Sequence, residues 1–363
     1  MTAPGIAGRL KTLLAEELRQ LTTLQASDRA WQMPFAAALA SGLPLLIGAF
    51  FNHLDYGLVG SIGGLVFLYL PGTSLSHRMV SLMSCALGMI ACYTFGLMSH
   101  LYPPSMMPVI VFTAILVTMA CRFYGVGPPG SLFFVMATAI GAYSPIPLAQ
   151  LPLMVGLFTM GSLLACLVGF FYSLAMLRRH APKAAQQAQP PSFDFVVLDA
   201  VIIGVSVGVA LAAAQLLELA KAYWVPVSCL AVIQGASLRA VWSKQLQRVI
   251  GTAIGLVLAW ALLSLPLGQW SIAITMMVLT FLIESLVVRH YALATILITP
   301  LTLLLAEAAT LGQGSSSSLI QARFFDTMLG CAIGLGGGAC LHSPAFRRFA
   351  GGLLRRLVRA PFA

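Results

Sequence analysis

The sequence predicts an all-α, polytopic helical membrane protein of about twelve transmembrane helices, arranged as two parallel six-helix repeats. Three observations predict it. Hydrophobic residues make up 59% of the 363 positions and charged residues 8%, with mean hydropathy +0.94. A soluble domain carries roughly 25% charged residues, so a water-soluble fold here would expose far too much apolar surface. Apolar runs of bilayer-spanning length recur from end to end. The cations sit in the short stretches between those runs and at both termini, the pattern of topogenic charge.

The elements follow in chain order. In residues 1–30, Leu10, Leu13, Leu14, Leu18, Leu21 and Leu24 recur at helical spacing, with Arg9, Lys11, Glu16, Glu17 and Arg19 on the other side. That pattern predicts an amphipathic helix lying in the membrane interface. No continuous apolar core of a cleavable signal peptide precedes it. Residues 31–177 hold six expected spans, at 34–51, 57–71, 79–99, 106–121, 130–144 and 152–177. The polar stretch RRHAPKAAQQAQPP marks a cytoplasmic linker over 178–194. Residues 195–343 hold six more, at 195–217, 223–237, 249–265, 270–288, 291–308 and 323–342, followed by a basic tail over 344–363. An even number of crossings puts both termini and the linker on one side. Every Lys and Arg except Lys221 and Arg323 falls on that side, so both termini are expected in the cytoplasm.

The halves read as copies. Tyr56 and Tyr223, Ser61 and Ser228, Gly88 and Gly255, Arg122 and Arg289, and Tyr124 and Tyr291 all recur at one shared offset. Six spans per copy make the copies parallel, related by an axis along the membrane normal. A second symmetry lies inside the second half, where RVIGTAIG (248–255) and RFFDTMLG (323–330) share Arg-x-x-(Gly/Asp)-Thr-x-x-Gly. Ser84/Gly88, Gly161/Ala165, Gly251/Gly255 and Gly330/Gly334 give every third helix a smooth face for close helix packing. Each half therefore reads as a 3+3 inverted repeat with those four helices nested at the centre.

Several function classes drop out. The net charge of +10 does not gather on one soluble face, so nucleic acid is not an expected partner. The seven cysteines all lie in apolar runs without a CxxC, which indicates neither a disulfide framework nor zinc. GVGPPG (125–130) fits GxGxxG formally, but it follows a span and contains two prolines, so a dinucleotide reading fails. No GxxxxGK[ST] is present for ATP, and no His, Cys and carboxylate cluster has metal spacing. Neither a cofactor nor an enzyme activity is expected.

Within KQLQRVIGTAIGL (244–256), polar chain stops and apolar chain begins at Val249. Arg248 is thereby expected at a helix start, where a dipole prefers an anion. It reads either as a snorkelling anchor or as one partner of a bound carboxylate shared with the helix N–H groups. LYLPGTSLSHR (68–78) and VIQGASLRA (232–240) look like broken helices. Transporters build sites at such breaks, and Gln234 could hydrogen-bond a substrate there; the plain alternative is an ordinary cytoplasmic loop.

YWVPVSCLAVIQGASLRAVWSKQLQRVIGTAIGL, RHYALATILITPLTLLL and ARFFDTMLGCAIG together resemble the fusaric acid resistance protein-like family, over about residues 195–343. That group overlaps the bacterial aromatic acid exporters and is distantly similar to plant malate channels. The resemblance implies efflux of aromatic or other organic carboxylates across the bacterial inner membrane, and the proton motive force is the expected drive. The residues suit such a cargo, since an aromatic acid needs a cation and a ring surface. Arg78, Arg122, Arg239, Arg248 and Arg289 supply cations, and Tyr223, Trp224, Tyr291 and Phe123 or Tyr124 supply aromatic faces. For Trp224 the plainer reading is an interfacial belt. Ionisable groups inside spans point to proton coupling. Glu284 and Asp326, with Arg323 three residues before it, are the candidates, and His290 is a third. The expected partners are a small organic anion, the lipid bilayer, and a periplasmic adaptor or a second copy. An anion channel, a major-facilitator-like carrier and a non-transporting assembly partner are the competing readings.

Overall fold

The computed structural model describes residues 25–27, 29–179, 181–182, 184, 192–308 and 316–359. The expected amphipathic helix at the N-terminus and most of the linker lie outside the described residues. All twelve expected apolar segments coincide with helices: α1 (Gln32–Phe50), α2 (Leu54–Gly64, continued by a 3-10 turn to Tyr69), α3 (Leu75–Met98), α4 (Met106–Phe123), α5 (Leu132–Tyr143) and α6 (Leu151–Leu177). The second half continues with α7 (Asp199–Leu216, entered through a π turn at Asp194–Leu198), α8 (Trp224–Ile233), α9 (Leu238–Leu263), α10 (Gln269–Leu286), α11 (Tyr291–Ala308) and α12 (Ser316–His342). The basic tail is itself a helix, α13 (Pro344–Arg359).

Twelve full crossings are not what these helices provide. Among the described residues, eight are long and apolar enough to span a membrane, namely α1, α3, α4, α6, α7, α9, α10 and α12. The others are shorter: Leu54–Tyr69, Leu132–Tyr143, Trp224–Ile233 and Tyr291–Leu305. A straight crossing takes about 20 residues, so α2, α5 and α8 each cover part of the bilayer, while the described part of α11 runs 18 residues to Ala308. Their sequences say why. LPG follows α2, SPIP follows α5, and the GAS turn after Gln234 ends α8, so Pro or Gly stops these three helices early. The result is a long–short–long rhythm along the chain, set by α2, α5 and α8.

The small-residue faces receive the short helices. Gly251 lies against the Ala292 carbonyl and Thr295, and Gly255 against Ile296 and Thr299, so α11 runs parallel to α9. Gly330 lies against Val225 and Ser228, and Gly334 against Cys229 and Val232, so α8 runs parallel to α12. In the first half Gly96 of α3 meets Thr138 of α5, and Gly161 of α6 meets Gly60 of α2. The nest of four long helices expected from the glycine pattern is therefore corrected. α3 packs on α6 and α9 on α12, but the halves join mainly through α1 against α10 and α4 against α7. A bare glycine face admits a neighbouring backbone at close range, and in this chain that neighbour is a short helix.

Candidate functional site

The site lies where α9 and α12 cross. α9 begins at Leu238, where the Ser237 hydroxyl caps the Ala240 N–H at 3.2 Å. Arg248 is therefore not at a helix start, as the polarity change suggested, but about three turns inside. Lys244, Gln245, Leu246 and Gln247 are good helix formers with no Gly or Pro among them, so the helix runs through the polar stretch unbroken. The N–H groups beside Arg248 are bonded along the helix, and none remains to share a carboxylate with it. Arg323 likewise falls about two turns into α12.

These cations are buried. Arg248 is 5% exposed and Arg323 4%, and Asp326 is fully enclosed. Arg248 donates from Nη1 to the Tyr291 hydroxyl at 2.9 Å and from Nη2 to Ser228 Oγ at 3.3 Å. Its Nε has no hydrogen-bond acceptor, and neither do Nε and Nη1 of Arg323. Arg323 stacks over the Trp224 ring, with Cζ 4.3 Å from the centroid. Neither carboxylate oxygen of Asp326 has a hydrogen-bond donor, although it feels the Arg323 charge. Arg248 and Arg323 are near enough to repel each other, and both act on the Cys331 thiol. Tyr223, half-buried beside Trp224 at 5.1 Å, faces Arg323 and Asp326. Lys244 sits 5.8 Å over the Tyr291 ring, one turn before Arg248.

The two short helices complete the site. Trp224 opens α8 and Tyr291 opens α11. Both helix N-termini thus converge on the Arg248–Arg323 level of the long pair, with the bodies of α8 and α11 running away in opposite directions. A helix N-terminus carries about +0.5 of an elementary charge. The positive poles that the sequence assigned to the start of α9 come from α8 and α11 instead. His290 takes up one α11 donor, accepting from the Leu293 N–H at Nδ1 (3.3 Å).

Two guanidinium groups and one carboxylate leave a buried net charge of +1 with unbonded donors. Burying an ion costs several kcal/mol unless geometry and hydrogen bonds offset it, and orphaned buried polar atoms are rare in native folds. Such a cluster is a poor stabilising device. Its chemistry suits an anion that accepts from Arg248 Nε and Arg323 while lying against Trp224 and Tyr223. At the α3–α6 crossing of the first half, Tyr93 stacks on Phe158 at 4.6 Å, with Met89 and Met154 buried beside them. That crossing is aromatic and apolar.

The other expected residues lie elsewhere. Arg122 pairs with Asp199 at 2.5 Å and lies 4.5 Å over the Phe195 ring, and Arg347 of α13 pairs with the second oxygen of Asp199. This triad ties α4, α7 and α13 together. Arg78 is buried and donates from Nε to the Thr73 carbonyl at 2.7 Å. Arg239 and Arg289 are exposed at helix ends, as are Phe123 and Tyr124. Gln234 donates to Ser131 Oγ at 3.0 Å, which links the end of α8 to the start of α5. Glu284 is buried and paired with Arg29 at 3.1 Å. The belt reading of Trp224 is overturned, because it is 4% exposed and covered by Arg323.

Ser228, Cys331 and Lys244 belong to the site and were not singled out as ligating residues. Ser228 was visible as half of a repeated pair with Ser61, and Lys244 stands one helical turn before Arg248. Nothing local distinguishes Cys331 from the other cysteines in apolar runs.

The fold and this buried cluster define a multi-pass helical membrane protein with a polar centre. Residues 200–336 match the family model described as fusaric acid resistance protein-like. The resemblance carried by the α8, α9, α11 and α12 motifs is thus borne out, over the half that contains the cluster. The chain is also 25% identical over 483 aligned positions to "Uncharacterized membrane protein YvaC" of Bacillus subtilis, which covers 93% of this chain and 76% of that protein. No solved structure matches the chain.

Proposed function

We propose that the protein is a transporter of small organic carboxylates, aromatic ones by preference. The carboxylate is held between Arg248 and Arg323, and its ring lies against Trp224 and Tyr223. The observation that carries this reading is the pair of buried guanidinium groups with unbonded nitrogens where two short helices begin. Ionisable groups at such depth mark substrate and ion paths in membrane proteins. Asp326 is the proton carrier of choice, since its oxygens have no hydrogen-bond donor whereas Glu284 is engaged by Arg29. The direction of transport is outward across a bacterial inner membrane, with both termini in the cytoplasm. The long–short–long rhythm and the matched pairings α3–α5 with α9–α11, and α2–α6 with α8–α12, support two parallel halves, each an inverted repeat.

The test is uptake of labelled benzoate by vesicles containing the full chain, with an imposed pH gradient. Accumulation above the outside concentration, lost when the gradient is collapsed, supports the proposal. Flux that only dissipates a benzoate gradient supports an anion channel instead, a reading favoured by cations outnumbering acids in the cluster. No benzoate flux in either arm refutes both. For topology, single cysteines at Leu217 and Ser237, both exposed helix-end positions, should label from opposite faces.

A further inference from the structure

Away from the buried cluster, α7, α12 and α13 line a cavity of about 700 Å³ that is open on one side. Its walls include Val205 and Val209 of α7, Ile333 and Gly336 of α12, and Phe349 and Leu353 of α13. Ser206, which also lines it, turns its hydroxyl to the Ile202 carbonyl of its own helix at 2.8 Å. Among the described residues no charged side chain lines the space, so it is unsuited to a carboxylate. α7 and α12 are spanning helices, and Val205 and Val209 are each 52% exposed. The open side of the cavity therefore faces whatever surrounds those helices, which for this chain is lipid.

α13 adds a second feature. Phe346, Phe349, Ala350, Leu353 and Leu354 form its apolar stripe toward the cavity. Arg348, Arg355 and Arg356 stand on its other side, all exposed. Gly352 lies between them, one turn after Arg348 and one turn before Arg356, and a side chain placed there would meet nothing. This leaves bare backbone between the two arginines, with Arg348 donating from Nε to the Pro344 carbonyl at 3.3 Å. An amphipathic helix with arginines on its polar face lies in the headgroup layer. The Asp199–Arg347 and Asp194–Arg355 pairs hold it against the start of α7.

We propose that this is a specific site for one anionic phospholipid. An acyl chain fills the α7–α12 cavity under α13, and the phosphate is held at Gly352 between Arg348 and Arg356. Charge complementarity selects the occupant. A zwitterionic lipid offers the same tail, but its own cation opposes the arginines. The site stands apart from the buried cluster and does not depend on its transport role.

The experiment is native mass spectrometry of the purified full chain, offered equal amounts of phosphatidylglycerol and phosphatidylcholine with the same acyl chains. Retention of phosphatidylglycerol well above phosphatidylcholine is expected. Arg348→Gln with Arg356→Gln should lower that preference by roughly 30-fold, the weight of two basic residues near an anionic surface. Gly336→Leu fills the cavity where a new side chain meets open space, so it should fold and lose the tightly held lipid. Equal retention of both lipids by the wild type, or unchanged retention in Gly336→Leu, overturns the assignment.

Discussion

Arg248→Met separates a transport role from a structural one. The change removes one of two buried cations, and the cluster falls from a net charge of +1 to 0, because Arg323 and Asp326 then cancel. A carboxylate substrate loses its charge-assisted hydrogen bonds to that guanidinium, about 1.5–3 kcal/mol, or roughly 10- to 150-fold in half-saturation. Stability should move differently. Tyr291 and Ser228 each lose a donor, from 2.9 and 3.3 Å, at a cost of about 1 kcal/mol per bond. The protein is also relieved of a buried ion whose desolvation costs several kcal/mol, and methionine keeps much of the volume apolar. The melting temperature should therefore stay level or rise while half-saturation for benzoate climbs. The assay is a concentration series of vesicle uptake beside a thermal melt of the same preparation. Unchanged half-saturation with a lower melting temperature would make Arg248 a structural brace, and the anion-site argument would fail.

Three further outcomes follow from the same geometry. Asp326→Asn raises the cluster to a net charge of +2, so benzoate should bind more tightly while the pH gradient ceases to drive its accumulation. Binding to the detergent-solubilised protein and uptake with and without the gradient check the two halves of that statement. Gly251→Leu places a β-carbon 2.7 Å from both the Ala292 carbonyl oxygen and Thr295 Cβ; overpacking of this kind costs about 1–3 kcal/mol, which a lowered melting temperature would register. Asp199→Asn leaves Arg122 and Arg347 facing each other without their carboxylate, and breaking a buried pair costs about 3–5 kcal/mol. α13 should loosen, measured as faster tryptic cleavage at Arg347 and Arg348.

Helix positions were legible because lipid imposes one rule on every span. Backbone groups must be bonded within the segment, and that rule writes long apolar runs directly into the chain. The glycine faces of α9 and α12 were legible for a related reason, since small residues four apart lie on one side of any helix. Arg248, Arg323, Asp326, Trp224, Tyr223 and Tyr291 could be picked out as ionisable or aromatic groups in unusual places. Their grouping could not, because Arg323 and Trp224 are far apart in sequence and meet through the pairing of α12 with α8. α9 starts at Leu238 and not at Val249, because polarity changes at Val249 while helix propensity does not. Arg122 and Gln234 looked like ligands by residue type, yet they bond to Asp199 and Ser131, partners that no local pattern announces.

Composition and periodicity alone determined that the chain is helical and membrane-embedded, because transfer from water to lipid acts on each segment independently of the others. Contacts between distant segments decided which charges lie together and which are paired. Electrostatic energy depends on separation and burial in space, and spacing along the chain specifies neither.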